Sequence, residues 1–154
     1  MNDSREDTKA RSLNIEELSA IVVDCGYHLH VEAGPGLLES IYEVTLAAML
    51  TKRGLRVTRQ TPVPIKLMEM EFDEGFRADL IVEDKLLIEL KSVEKFAPVH
   101  AKQTLSYLRL LHMPLGLLIN FGAPTFKEGI KRIVNNHTNF AASRLRVNQQ
   151  QPEL

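Results

Sequence analysis

The chain has 154 residues, of which 44% are hydrophobic and 25% are charged, and its formal net charge is −1. This composition suits one folded domain and excludes a disordered chain, while the near-zero net charge gives no overall argument for nucleic-acid binding. The single cysteine, Cys25, excludes an internal disulfide and is expected in the core of a protein from a reducing compartment. Met1–Arg11 lacks the apolar stretch of a signal peptide, and no apolar run approaches the roughly 20 residues of a membrane span. The sequence therefore predicts a cytoplasmic protein.

The first third of the chain predicts a tail and two helices. Residues 1–12 are polar and charged and are expected to form a disordered tail. A capping-box pattern at Asn14 and Glu17 predicts the start of a helix that ends near Val31. A second helix is expected from about Leu37 to Arg53, after a turn rich in glycine and proline.

The middle of the chain predicts four extended segments, because β-prone residues alternate there between turn signals. These segments are Leu55–Gln60, Val63–Met68, Phe76–Val82 and Lys85–Ser92, with a polar turn at Met70–Gly75.

The last third predicts a helix over Val99–Leu111, a buried strand over Leu117–Phe121, and a final helix that opens at Thr125 and carries Ile130 and Ile133. The predicted order α-α-β-β-β-β-α-β-α is that of a mixed α/β protein rather than a regular βαβ repeat. We expect one domain over residues 13–140 and a C-terminal tail over residues 141–154.

The predicted β-hairpin carries the main chemical signal. Residues i and i+2 of a strand share a face, so Glu89 and Lys91 point the same way while Ile88 and Leu90 point into the core. Asp79 lies on the preceding strand. It can face Glu89 across the hairpin only if the register allows it.

The register of this hairpin decides whether the two carboxylates meet. A three-residue loop, Glu83-Asp84-Lys85, places Asp79 opposite Glu89. A two-residue turn would move the carboxylates to opposite faces of the sheet.

Two carboxylates from adjacent strands offer the oxygen ligands that Mg²⁺ or Mn²⁺ prefers. A lysine beside such a metal can hold an attacking water or stabilise the charge that grows on a phosphoryl group. These parts suit phosphodiester cleavage. For an isolated pattern of this kind, the alternative is an exposed hairpin face with a salt bridge.

Two pairs of polar residues on the predicted helices add to the signal. Gln103 and Tyr107 stand at i, i+4, and Glu39 and Tyr42 stand at i, i+3, so each pair projects from one helix face. Either pair alone is typical of a solvated helix face. His100, at the start of the third helix, is a candidate phosphate contact or a surface residue.

Charge is distributed unevenly along the chain. The segment from Lys95 to Gln150 holds eight basic residues and one acidic residue, a net charge of +7. This asymmetry is compatible with a surface that faces phosphates, and equally with an ordinary solvated basic surface.

Five motifs occur together and in a fixed order: Gly36-x-x-Glu39-x-x-Tyr42, Arg77-x-Asp79, Glu89-x-Lys91, Gln103-x-x-x-Tyr107-Leu108, and the run from Leu115 to Ile133. In these motifs the chain resembles the GxxExxY protein family, which is placed in the PD-(D/E)XK nuclease superfamily. The resemblance covers about residues 15 to 136.

The resemblance implies a fold and a set of site residues. The fold is a central mixed sheet flanked by helices. Asp79 and Glu89 would be metal ligands, Lys91 the catalytic lysine and Glu39 the acid of the first helix of the core. The Gln103 and Tyr107 pair is similar to the motif after the catalytic strand of RecB-like nucleases. Alanine stands at position 78, where the superfamily name has proline.

The leading hypothesis is a Mg²⁺-dependent or Mn²⁺-dependent phosphodiesterase that acts on DNA rather than RNA. The expected metal ligands are Asp79, Glu89, the Leu90 carbonyl and Glu39, and the expected substrate contacts are Gln103, Tyr107, Arg77 and His100. The alternative is a catalytically silent module that binds nucleic acid or protein, and a homodimer or a protein partner stays open. The acidic set and lysine favour the enzyme, because a silent module has no reason to bury mutually repelling carboxylates without a cation.

Overall fold

The computed structural model describes residues 13–136 of the chain. The helices are α1 (Ile15–Ala33), α2 (Glu39–Lys52), α3 (Pro98–Leu111) and the short α4 (Phe126–Gly129). The strands are β1 (Val57–Leu67), β2 (Met70–Val82), β3 (Leu86–Lys91), β4 (Leu115–Asn120) and β5 (Ile130–Val134). The expected tails at residues 1–12 and 141–154, and the end of the expected domain, lie outside the described residues.

Helix α1 begins at the capping box that the sequence predicts. The Asn14 side chain accepts a hydrogen bond from the Glu17 backbone N–H at 2.9 Å, and the Glu17 carboxylate accepts one from the Asn14 backbone N–H at 2.8 Å. These two bonds satisfy backbone donors that a helix start otherwise leaves unpaired. Cys25 is buried on the apolar side of this helix, which confirms it as a core residue.

The five strands form one mixed sheet in the order β1-β2-β3-β4-β5. Only β3 and β4 pair in parallel, and the other neighbours are antiparallel. Because parallel neighbours need a crossover connection, the chain places α3 between them. The expected mixed α/β class, with a central sheet flanked by helices, is confirmed.

Helices cover both faces of the sheet. Apolar side chains of α1 and α2, such as Val22 and Leu46, pack with Ile88 and Leu90 of β3 in the larger core cluster. On the opposite face, Leu108 of α3 packs with Leu87 in the smaller cluster. Glu89 and Lys91 alternate with the larger-cluster residues and therefore belong to the α3 face.

The prediction of two separate strands before residue 70 was wrong. A single strand, β1, runs through both proline positions, and Met70–Gly75 belongs to β2 rather than to a turn. The turn lies at Met68 and Glu69, which both have positive φ. Prolines are tolerated because β1 is an edge strand, where missing N–H donors leave no neighbour unpaired.

The prediction of a long final helix was also wrong. The helical turn α4 ends at Gly129, and β5 follows at once and pairs with β4. Ile130 and Ile133 have spacing that suits a helix, but in a strand three residues place them on opposite faces. Ile130 packs against the larger core cluster and Ile133 against the smaller one. The segment thus contributes a side chain to each core and pairs with an edge of β4 that would otherwise be exposed.

Across residues 13–136, none of the helices combines the length and apolar character that crossing a membrane requires.

Candidate active site

The β2–β3 hairpin has the register that brings the two carboxylates together. Leu80 pairs with Ile88, and Val82 pairs with Leu86, which leaves the three-residue loop 83–85. Of the two turns that the sequence left open, the structure has the three-residue loop. Continuing the same register by one step sets Asp79 opposite Glu89.

The loop of the hairpin is held by Arg56, the residue just before β1. The Glu83 backbone N–H donates to the Arg56 carbonyl at 2.9 Å, and the Arg56 guanidinium donates to the Glu83 carboxylate at 2.9 Å. Glu83 and Asp84 both have positive φ, which a tight loop requires.

Asp79 and Glu89 form a close carboxylate pair. The Leu90 backbone N–H donates to Asp79 Oδ2 at 2.9 Å, and the Asp79 backbone N–H approaches Glu89 Oε1 at 3.4 Å. Glu89 is only 6% exposed, whereas Asp79 is partly exposed. Burial, the negative charge of Asp79 and a hydrogen bond between the two carboxyl groups raise the pKa of Glu89 to about 9. Without a cation, Glu89 therefore holds a proton at neutral pH.

Lys91 and Glu39 lie beside this pair. Lys91 follows Glu89 by two positions on β3 and is partly exposed. Burial, followed by the charge of Asp79, raises the pKa of Glu39, and the charge of Lys91 opposes that rise. Glu39, the first residue of α2, is thus in electrostatic contact with both residues across the sheet.

Tyr42 sets where α2 begins and so where Glu39 lies. Its hydroxyl donates to the Gly34 carbonyl at 2.5 Å and accepts from the Leu37 backbone N–H at 3.1 Å. Its ring is fully buried and stacks on Phe121, with ring centroids 4.6 Å apart. The turn between α1 and α2 needs glycine at positive φ, as Gly34 shows at +66°. Tyr42 is therefore a positioning residue rather than a group that faces the substrate.

Two residues that the sequence analysis missed, Gln60 and Glu43, contact the same site. The Gln60 side-chain amide donates to Asp79 Oδ1 at 3.2 Å and to Glu43 Oε1 at 2.6 Å. Glu43 is 4% exposed and also accepts from the Arg59 guanidinium at 3.0 Å. A chain of hydrogen bonds therefore runs from Arg59 through Glu43 and Gln60 to Asp79.

The backbone of Gln60 explains how two neighbouring residues reach one carboxylate. Consecutive strand residues normally point to opposite faces, but Gln60 has φ of +49°, which interrupts the alternation at this point of β1. Arg59 and Gln60 can then both contact Glu43. The only sequence signal was the position of Glu43 one helical turn after Glu39. Gln60 gave none.

Helix α3 brings Gln103 and Tyr107 to the site. A hydrogen bond joins their side chains, and burial, then the charges of Glu89 and Asp79, raise the pKa of Tyr107. The Tyr107 ring also stacks on Phe76 of β2, with centroids 3.8 Å apart.

The other two expected substrate contacts have partners of their own. Nδ1 of His100 accepts a hydrogen bond from the Ala97 backbone N–H at 3.1 Å in the first turn of α3. Arg77 forms an exposed ion pair with Glu74 on the same strand.

The donor set at the hairpin fits a divalent metal ion. In the described part of the chain, no group of three or more His, Cys, Asp and Glu side chains converges in a ready metal site. Asp79 and Glu89 nevertheless supply two adjacent carboxylates whose mutual repulsion a cation relieves. Mg²⁺ accepts such a pair, because it keeps several of its waters when protein carboxylates bind it.

A family model of the PD-(D/E)XK nuclease superfamily matches residues 16–133. The chain belongs to this superfamily. Its members are generally phosphodiesterases that act on nucleic acid, and they typically use divalent metal ions. No curated protein matches the chain, and neither does any solved structure.

Proposed function

We propose that the protein is a metal-dependent nuclease that hydrolyses phosphodiester bonds in DNA, and that it is a member of the GxxExxY group of the superfamily. One observation carries the proposal. The buried Glu89 carboxyl and the Asp79 carboxylate stand together on one hairpin with Lys91 beside them, and burial, then the charge of Asp79, raises the pKa of Glu89 to about 9. The domain responsible would span residues 13–140.

Three groups would hold the metal, Mg²⁺ or Mn²⁺: the carboxylates of Asp79 and Glu89 and the carbonyl of Leu90. Glu39 from α2 would hold a second metal or a metal-bound water. When bound, such an ion activates water and neutralises charge on a phosphoryl group. Gln60 orients the Asp79 carboxylate through its amide.

Lys91 supplies the fixed positive charge of the site. Its ammonium group shares the strand face of Glu89 and stabilises the negative charge that develops as the phosphodiester is attacked.

Four further residues would bind the nucleic acid. Gln103 and Tyr107 act as a hydrogen-bonded pair from α3. Arg77 and His100 would contact phosphates, with Arg77 released from its exposed ion pair with Glu74 at little cost.

A cleavage assay tests the proposal directly. Plasmid and single-stranded DNA are incubated with Mg²⁺ or Mn²⁺ and with wild type, Lys91→Ala or Lys85→Ala. Lys91→Ala should lose on the order of 10²-fold or more of the rate, because a charge that stabilises the transition state is removed. Lys85→Ala is the matched control, since Lys85 lies in the loop of the same hairpin and contacts the Leu13 carbonyl instead.

Two outcomes would contradict the proposal. One is wild-type protein without metal-dependent cleavage of any DNA. The other is activity that survives Lys91→Ala unchanged. The first would favour the catalytically silent binding module.

A further inference from the structure

The loop that follows Lys91 is held rigidly against β4. The Val93 backbone N–H donates to Asn120 Oδ1 at 3.0 Å, and the Asn120 amide donates back to the Val93 carbonyl at 2.8 Å. Asn120 is only 2% exposed. Gly122 allows this contact, because a Cβ there would lie 2.2 Å from the Val93 carbonyl oxygen. The loop thus presents its side chains in a fixed place.

Phe96 is the aromatic residue of this loop, and the side chains of Lys131 and His100 contact its ring. The Lys131 ammonium lies over the ring, 5.8 Å from its centroid. The His100 ring meets it edge-on, with centroids 6.2 Å apart. The ring is partly exposed, and Lys95 and Lys102 nearby in the chain are exposed, as is one acidic residue, Glu94.

This cluster lies on the same side of the sheet as the candidate active site. Glu89 pairs with Leu118, and Leu118 pairs with Lys131, so the three residues form one row across β3, β4 and β5. Paired residues share a face, and strands lie about 4.8 Å apart, which puts the backbone of Lys131 roughly 10 Å from that of Glu89. That distance is in the range of the next nucleotide or two along a strand.

On the other side of the candidate site, the surface of the β1–β2 hairpin is acidic, whereas the surface around Phe96 carries lysines. The hairpin of β1 and β2 extends beyond the sheet and exposes four acidic residues against two basic ones, Lys66 and Arg77, and Arg77 pairs with one of the acids, Glu74. The acidic residues are Glu69, Glu71, Asp73 and Glu74. A phosphate backbone is repelled there and attracted towards Lys95, Lys102 and Lys131.

We propose that Phe96, with Lys131 and Lys95, forms a subsite for an unpaired nucleotide, so that the substrate is single-stranded DNA or a single-stranded extension. The base stacks on Phe96 in place of the Lys131 ammonium, which then contacts a flanking phosphate, as does Lys95. An aromatic side chain stacks on any base, whereas a base inside a duplex offers no free face without being unpaired. The inference rests on the proposed function for its ligand class, nucleic acid.

Binding without catalysis tests the subsite. A fluorescein-labelled mixed-sequence 20-mer, single-stranded or annealed to its complement, is titrated with protein in EDTA, and anisotropy is recorded. We expect the single strand to bind at least about tenfold more tightly than the duplex. Phe96→Leu keeps an apolar side chain but removes the stacking face, and it should weaken single-strand binding about tenfold. Phe96→Trp keeps a stacking face and should bind the single strand about as tightly as wild type, which a purely structural role of the loop would not predict.

The phosphate contact proposed for Lys131 is tested separately, with Lys66 as the control. Lys131→Ala should lower the slope of log affinity against log salt by about one, as expected when one phosphate contact is lost. Lys66→Ala removes the same charge from the acidic hairpin and should leave both affinity and slope unchanged. Equal binding of single strand and duplex, or an unchanged affinity in Phe96→Leu, would overturn the subsite.

The two proposals fail separately. Metal-dependent cleavage of duplex and single strand alike, with no effect of Phe96→Leu, would keep the nuclease and overturn the subsite. Single-strand binding that depends on Phe96, with no cleavage under any metal, would keep the subsite and overturn the nuclease.

Discussion

At the scale of single residues, the site is governed by one unfavourable contact. Glu89 is buried beside Asp79, and its pKa is raised to about 9. In the unfolded chain the same carboxyl ionises near its ordinary pKa of 4.5. The native state therefore keeps a proton that the unfolded state releases between these two values.

This difference predicts how the stability of the metal-free protein depends on pH. Because the native state binds more protons, the free energy of unfolding should fall as pH rises from about 4.5 towards 9. Glu89→Gln, which cannot ionise, should remove most of that fall and be more stable than wild type at pH 8. Urea unfolding in EDTA at pH 5, 7 and 9 measures it, with the exposed Glu71→Gln as control. Parallel pH profiles of wild type and Glu89→Gln would contradict the explanation.

At the scale of elements, two irregular backbone segments place the functional side chains. The positive φ of Gln60 in the edge strand β1 directs its side chain to Asp79. The glycine turn that is closed by the Tyr42 hydroxyl places the start of α2. Neither device is a regular part of a strand or helix. Bulges and similar irregularities are common next to active sites, because they aim a side chain in a new direction.

Substitutions at Gln60 separate its backbone role from its side-chain role. Gln60→Gly keeps the positive φ but removes the amide that contacts Asp79, so it should fold stably and bind metal about 10- to 100-fold more weakly. Gln60→Val should cost about 1–2 kcal/mol of stability, because a branched side chain is strained in this conformation. Calorimetric titration with Mn²⁺ and urea unfolding measure the two effects. Wild-type metal affinity in Gln60→Gly would show that the amide does not orient Asp79.

Tyr42 offers a test of the turn before α2. Tyr42→Phe keeps the ring stacked on Phe121 but leaves the Gly34 carbonyl and the Leu37 N–H without their partner, which should cost about 1 kcal/mol. If the turn positions Glu39, the cleavage rate should also fall. Val44→Ala, an exposed change on the same helix, is the control. Loss of stability without loss of rate would restrict Tyr42 to a structural role.

At the scale of the whole molecule, two cores hold a sheet that is covered on both faces, and the candidate site lies on the α3 face. Since burial and the charge of Asp79 oppose ionisation of Glu89, the site is expected to weaken the fold as pH rises rather than strengthen it. A bound cation should reverse that effect.

Metal should therefore stabilise the folded protein. A divalent ion at 100 times its dissociation constant should add about 2.7 kcal/mol to the free energy of unfolding and raise Tm. Asp79→Asn should lose this gain yet be no less stable than wild type without metal, because the amide keeps the shape of the side chain, its oxygen can still accept the Leu90 N–H, and the charge that opposes ionisation of Glu89 is gone. Glu43→Ala should be destabilised with and without metal, because it removes the buried carboxylate that accepts hydrogen bonds from Arg59 and Gln60. A wild-type Tm indifferent to millimolar Mg²⁺ and Mn²⁺, together with a strongly destabilised Asp79→Asn, would favour a structural salt bridge over a metal site.

The amino-acid sequence alone determined the features that depend on neighbouring residues. The capping box before α1, the mixed α/β class and the hairpin that carries Asp79 and Glu89 follow from short-range patterns, and the structure has each of them. The sequence left the register of that hairpin open, and the structure decided it. Short-range patterns suffice here, because side-chain periodicity and turn chemistry act over a few residues.

Only the tertiary structure decided the features that depend on distant pairing. Residues 130–134 fit a helix by spacing, yet they form β5, because the edge of β4 and the two cores are present only in the folded sheet. Gln60 and Glu43 reach Asp79 only once β1 has paired with β2 and α2 has packed nearby. Such contacts join residues 17 to 19 positions apart. No local pattern specifies them, because their partners are brought together only by the packing of the whole sheet.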